Sequence, residues 1–143
     1  MELIHKDLSD KIINCYYRVF NTLGYGFLEK VYENAMLIEL KKSGLNALSQ
    51  QRINVFYDEV LVGDYFADIV VNDLIVLELK AAASLQEEHE CQLVNYLRAT
   101  KMELGFLFNF GTEAEFKRKV FMNKYKRNTD RTCLPQVGAD IAD

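Results

Sequence analysis

Apolar residues recur at helical spacing through Leu8, Ile12, Ile13, Tyr16, Val19, Phe20 and Leu23, which predicts a first helix stopped by Gly24. A second helix is predicted from about Leu28 to Ser43, with Val31, Ala35, Leu37, Ile38 and Leu40 facing inward and Gly44 at its end. The period then changes to two. Gln51 to Tyr57 alternates, Asp58-Glu59 turns the chain, and Val60 to Val71 returns, with Gly63 marking a bulge or bend. Asn72-Asp73 breaks this run before Ile75 to Ala81, so Tyr65 to Val71 and Ile75 to Ala81 read as a hairpin. Ser84-Leu85-Gln86-Glu87 reads as a capping box that opens a helix from about Leu85 to Lys101, with Leu93, Val94 and Leu97 as its core stripe. Leu104 to Phe110 is a buried strand, and Phe116 to Phe121 is a last short strand or helix between which periodicity does not decide. The expected architecture is one α/β domain over residues 1–122, a mixed β-sheet flanked by α-helices. Residues 123–143 read as a basic, then polar, mobile tail.

Within the hairpin the odd positions Ile69, Val71, Ile75, Leu77 and Leu79 are apolar, as expected of strands covered on both faces. The even positions are apolar as well, except Asp68, Glu78 and Lys80. Side chains alternate along a strand, so Glu78 and Lys80 share a face, and Asp68 joins them only for certain registers. A three-residue connection, Asn72 to Leu74, sets Val71 opposite Ile75 and therefore Asp68 opposite Glu78, with Cβ atoms roughly 4.5–5.5 Å apart. Three charged groups in such apolar strands are costly to bury unless they pair or bind metal. Asp68 and Glu78, with the Leu79 carbonyl, are hard oxygen ligands suited to Mg²⁺ or Mn²⁺. A structural ion pair with Lys80 is the competing reading, and the triplet alone leaves both open.

Two further pieces bear on that choice. Gly26-Phe27-Leu28-Glu29-Lys30-Val31-Tyr32 reads G-x-x-E-x-x-Y at a helix start, where a carboxylate at Glu29 is favoured by the helix dipole in any case. Gln92-Leu93-Val94-Asn95-Tyr96 reads Q-x-x-x-Y inside a helix, and His89, Gln92 and Tyr96, at i, i+3 and i+7, share a face beside the core stripe. Gly-x-x-Glu, a strand Asp, a strand Glu-x-Lys and a helical Gln-x-x-x-Tyr, in that order, resemble the RecB-like branch of the PD-(D/E)xK nuclease superfamily. Gly26 to Tyr32, Gln51 to Lys80, His89 to Tyr96 and Asn109-Phe110-Gly111 look more narrowly like the small family of GxxExxY proteins, over about residues 5 to 122. The resemblance implies a PD-(D/E)xK nuclease-like fold and a metal-dependent nuclease favouring DNA over RNA. Asp68, Glu78, Lys80 and Glu29 are then the catalytic set, and Asp68, Glu78, Leu79 and Glu29 the metal site. It also implies that the helix carrying Gln92 and Tyr96 lies beside that site and helps to bind nucleic acid, and the shared face makes His89 a further candidate contact. The rival reading is a non-catalytic module that keeps the nuclease fold and binds nucleic acid or protein; a homodimerising domain with a charged triplet as ion pair is a third.

Composition sets outer limits. At 143 residues and 50% hydrophobic, the chain suffices for one domain with a real core. No apolar run approaches the roughly 18 residues of a membrane helix, and MELIHKDLSD has no features of a secretory signal, so a soluble, cytoplasmic protein is expected. Cys15, Cys91 and Cys133 are too few and too dispersed for a disulfide framework, a C-x-x-C site or a four-cysteine iron-sulfur cluster. The net charge of −4 speaks against a nucleic-acid partner. Its distribution softens that objection, because seven of the 17 basic residues, but of the acids only Asp130, fall within residues 117–131. Lys117, Arg118 and Lys119 head that run and are candidate phosphate contacts, against the alternative of a solvated face.

Overall fold

A computed structural model describes residues 3–126. The helices are α1 (Lys6–Leu23), α2 (Glu29–Lys42) and α3 (Glu87–Arg98); the strands are β1 (Ala47–Tyr57), β2 (Val60–Val71), β3 (Ile75–Lys80), β4 (Leu104–Phe110) and β5 (Ala114–Val120). The strands form one sheet in the order β1-β2-β3-β4-β5. Only β3 and β4 run parallel, joined by the crossover through α3; the other neighbours are antiparallel. The fold is therefore the expected α/β domain with a mixed sheet.

Two cores lie on opposite faces of the sheet. On one face, Ile12, Tyr16 and Val19 of α1 and Tyr32, Met36 and Leu40 of α2 cover Leu77, Leu79, Phe106, Phe108 and Phe110. On the other, Leu93, Tyr96 and Leu97 of α3 cover Val76 and Leu107. Aromatic stacking tightens the first core, with Tyr16 4.5 Å from Phe108 and Tyr32 4.1 Å from Phe110 between ring centroids. The Tyr16 hydroxyl also donates to the Asn109 carbonyl and accepts the Glu115 N–H at 2.9 Å, which ties α1 to the end of β4 and the start of β5.

Several expectations change. The inward stripe of α2 is Tyr32, Glu33, Met36 and Leu40, while Val31 and Ile38 are exposed. Rotating the helix this way puts Tyr32, Met36 and Leu40 under the sheet and turns Glu33, beside them, inward as well. The third helix begins at Glu87, two residues later than expected, because Gln86 is its N-cap and donates its N–H to His89 Nδ1 at 3.1 Å. Strand β1 starts at Ala47, earlier than Gln51, and the ambiguous segment is strand β5, pairing with β4 from Phe110↔Ala114 to Leu104↔Val120. Gly63 does lie at a bulge, since the β1–β2 register shifts between Val55 and Phe56. Residues Asn123–Tyr125 form a short 3-10 turn, and Lys126 Nζ donates to the carbonyls of Thr100 and Met102, both at 2.8 Å. That first part of the expected mobile tail is thus anchored; residues 127–143, with Arg127, Arg131 and Cys133, lie outside the described residues.

Candidate active site

The β2–β3 connection is the three-residue Asn72–Leu74. Asn72 and Asp73 have φ of 53° and 56°, Leu74 N–H closes the turn onto the Val71 carbonyl at 2.9 Å, and Val71 pairs with Ile75. Pairing continues through Val70↔Val76 and Ile69↔Leu77 and then stops. The next residues in that register are Asp68 and Glu78, and their side chains replace the missing ladder. The Asp68 N–H donates to Glu78 Oε2 at 3.0 Å, and the Leu79 N–H donates to Asp68 Oδ2 at 2.8 Å. Two carboxylates are thereby held across a fork between strands by backbone amides.

Burial and mutual repulsion act on both. Glu78 is 4% exposed. Its carboxyl is pushed up to about 8, first by burial and then by the charge of Asp68. Burial also raises Asp68; the Leu79 amide opposes this, and the carboxylates of Glu33 and Glu29 add to it. Lys80 favours the charged form of both acids. Among the described residues, however, it makes no salt bridge. The charged triplet is therefore not a contact ion pair, and what stands at the fork is a carboxyl pair on which burial and proximity disfavour two full negative charges.

Helix α2 brings two more acids to this place. The Tyr32 hydroxyl donates to the Gly24 carbonyl at 2.7 Å and accepts the Phe27 N–H at 3.2 Å, so the tyrosine of G-x-x-E-x-x-Y pins the loop that leads into α2. Gly26 in that loop has φ of 111°, a conformation side-chain-bearing residues rarely adopt. Glu29, at the first position of the helix, then reaches the backbone just past Lys80, its Oε2 accepting the Ala81 N–H at 3.4 Å. Glu33, one turn on, is 5% exposed and is held by Lys30 at 3.2 Å and by Gln50 Nε2 at 3.1 Å. Neither Glu33 nor Gln50 stood out in the sequence. Glu33 is four residues beyond Glu29 and so on the same helical face, which was a usable signal; Gln50 offered none.

Beyond Lys80, Asn109 fixes the chain. Its side chain accepts the Ala82 N–H and donates to the Ala82 carbonyl, both at 3.0 Å. A Cβ on Gly111 would lie 2.7 Å from that same carbonyl, so the Asn-Phe-Gly segment is a clamp on the loop after Glu-x-Lys.

The helix α3 residues divide. Tyr96 is buried on the Glu78 side of the sheet, and its hydroxyl is pushed up to about 12 by burial and then by the negative charge of Glu78. Gln92 Nε2 donates to the Tyr96 hydroxyl at 2.8 Å. Tyr96 and Gln92 line a groove of about 960 Å³ between α3 and the β1–β2 hairpin, with Tyr65 and Arg98. His89 caps its own helix instead of joining them. The basic trio lies on β5, separated from β3 by β4: Lys119 pairs with Glu90 at 2.6 Å, Arg118 Nη2 donates to the Ile4 carbonyl at 3.5 Å, and Lys117 is exposed. None of the three joins the carboxylate cluster.

The donors fit a hard divalent cation. Glu78 receives a single hydrogen bond among the described residues, through Oε2, and Asp68 Oδ1 meets only Gln50, at 3.5 Å. One oxygen of each acid is thus largely free. Among the described residues no three His, Cys, Asp or Glu side chains converge as a ready cage. Mg²⁺, which keeps several waters, is compatible with so few protein ligands.

A mixed sheet with an acid on one strand and Glu-x-Lys on its neighbour, at the point where the two part, defines a nuclease-like α/β domain. A family model described as the PD-(D/E)XK nuclease superfamily matches residues 6–120, and the chain belongs to that superfamily. Membership supports a nuclease-type function on nucleic acid, and such nucleases typically use divalent metal ions. No curated protein and no solved structure matches the chain. No helix among the described residues is long and apolar enough to cross a membrane.

Proposed function

We propose that this protein is a Mg²⁺- or Mn²⁺-dependent nuclease that hydrolyses phosphodiester bonds, in DNA ahead of RNA, within the GxxExxY group and the RecB-like branch. The observation that carries this reading is the meeting of buried Glu78 and half-buried Asp68 across the strand fork, with no salt bridge to either among the described residues.

Asp68, Glu78 and the Leu79 carbonyl would hold the cation, and Glu29 would hold a second ion or an ordered water. Bound there, the cation would supply positive charge against the scissile phosphate and acidify a water. Lys80 Nζ orients the attacking water or takes its proton, and its charge offsets that of the pentacovalent transition state. The water oxygen bonds to phosphorus as the bridging P–O bond breaks, and the leaving oxygen departs with the electron pair and is protonated. Gln92 and Tyr96 contact the nucleic acid beside this centre, and Lys117, Arg118 and Lys119 contact phosphates farther along.

The test is cleavage of labelled single- and double-stranded DNA and RNA in Mg²⁺ or Mn²⁺, with Asp68→Asn and Lys80→Ala as inactive controls. Cleavage that survives either substitution, or a wild type that neither cuts nor binds Mn²⁺ by titration calorimetry, overturns the proposal. In the second case binding of an uncut oligonucleotide identifies the rival, a non-catalytic module on the nuclease fold.

A further inference from the structure

Gln50 has a backbone that strand geometry does not call for. It lies within β1, yet its φ is 51°, in the left-handed region. The β1–β2 register runs Ser49↔Ile69 and Gln51↔Ala67, so Gln50 stands opposite Asp68, and that one pair is missing from the ladder. The sheet changes sides there. Ala47, Ile69 and Val71 belong to the core under α1 and α2, whereas Ile53 and Ala67, of the same parity, belong to the core under α3. The irregularity at Gln50 therefore coincides with the place where Asp68 leaves regular pairing.

The side chain shows what this achieves. Gln50 Nε2 donates to Glu33 Oε1 at 3.1 Å and Oε2 at 3.3 Å, and lies 3.5 Å from Asp68 Oδ1. It is the donor between two acids that otherwise repel, on helix α2 and strand β2 respectively. Of the Asp68 oxygens, Oδ2 accepts the Leu79 N–H at 2.8 Å, and Gln50 Nε2 is the one donor that meets Oδ1 among the described residues. Strained residues persist where surrounding structure enforces them, and they concentrate at functional sites.

Resting on the nuclease reading, we infer that Gln50 is a positioning residue: its amide, anchored on buried Glu33, holds Asp68 Oδ1 in the orientation that receives the divalent cation. Hydrogen-bond partners of metal-ligating carboxylates contribute in this way, and their loss typically lowers metal affinity or activity by about 10- to 100-fold.

Two variants separate positioning from scaffolding. Gln50→Gly removes the amide and accepts the left-handed backbone without strain, and Gln50→Asn keeps an amide one methylene too short to span Glu33 and Asp68 in a residue that also tolerates that backbone. In both, Mn²⁺ affinity measured by calorimetry is expected to weaken about 10-fold. The kcat for cleavage should fall with KM for the oligonucleotide unchanged, and Gln50→Gly should stay folded with a lower urea midpoint, because buried Glu33 loses its donor. In the wild-type protein the Gln50 side-chain amide resonances should shift on Mg²⁺ addition, a response a strand filler would not give. Mn²⁺ affinity and kcat within twofold of wild type in both variants overturn the inference while leaving the nuclease reading intact. A wild type that binds no Mn²⁺ overturns both, and the two failures are thereby told apart.

Discussion

Glu78→Gln removes an ionisable carboxyl from the fork with almost no change in volume, and it is expected to stabilise the metal-free protein in a pH-dependent way. The carboxyl has an ordinary value of 4.5 and is pushed up to about 8 in the folded chain. A group whose folded value lies above its unfolded value binds its proton more tightly when folded, so stability falls as pH climbs from 4.5 towards 8 and levels off beyond. At about 1.4 kcal/mol for each tenfold change in proton affinity, the penalty on the wild type is about 3 kcal/mol at pH 7 and about 1 kcal/mol at pH 5. The glutamine carbonyl can still accept the Asp68 N–H, and its NH₂ can donate towards Asp68. For a domain of this size the variant should therefore melt about 10 °C above wild type at pH 7 in EDTA, with a much smaller gap at pH 5. Differential scanning calorimetry across pH 5 to 8 reads this directly. Mn²⁺ at about 100 times its dissociation constant should then raise the wild type by about 2.7 kcal/mol and leave Glu78→Gln unmoved. A wild type whose melting temperature rises from pH 5 to pH 8, or a variant that melts below it at pH 7, would refute the reasoning.

Lys80→Ala should lower cleavage by at least about 100-fold while shifting the urea midpoint little, because Lys80 makes no salt bridge among the described residues; a large stability loss instead would restore the structural ion-pair reading. Tyr16→Phe leaves the Asn109 carbonyl and the Glu115 N–H without their shared partner and should cost about 1–3 kcal/mol in denaturant unfolding. Gly111→Ala places a methyl 2.7 Å from the Ala82 carbonyl, so it should cost about 1–3 kcal/mol and reduce cleavage through the displaced loop; wild-type activity would show that the clamp is dispensable. Gln92→Ala should weaken oligonucleotide binding in a polarisation assay more than it lowers stability, since Gln92 is only half-buried.

Local sequence was enough for the elements whose cause is local. The two-residue Asp58-Glu59 turn, the three-residue Asn72–Leu74 connection and the runs Val60–Val71 and Leu104–Phe110 follow from turn chemistry and side-chain alternation, and the odd connection length alone sets Asp68 opposite Glu78. What faces each helix is a different kind of fact. The stripe of α2 passes through Tyr32, Met36 and Leu40 instead of Val31 and Ile38 because burial there is decided by Phe110 and the sheet, which periodicity within the helix cannot register. The same holds for the site: Asp68 and Glu-x-Lys are close in sequence and legible, but Glu33 and Gln50 meet Asp68 across 35 and 18 residues of chain. His89 looked like a partner of Gln92 and Tyr96 by spacing, and the helix end claimed it first, since an unsatisfied N–H one turn away competes with any distant ligand. Proximity along the chain fixes alternation and turn geometry, whereas the packing of α2 and β1 against the fork decides which polar groups its carboxylates meet.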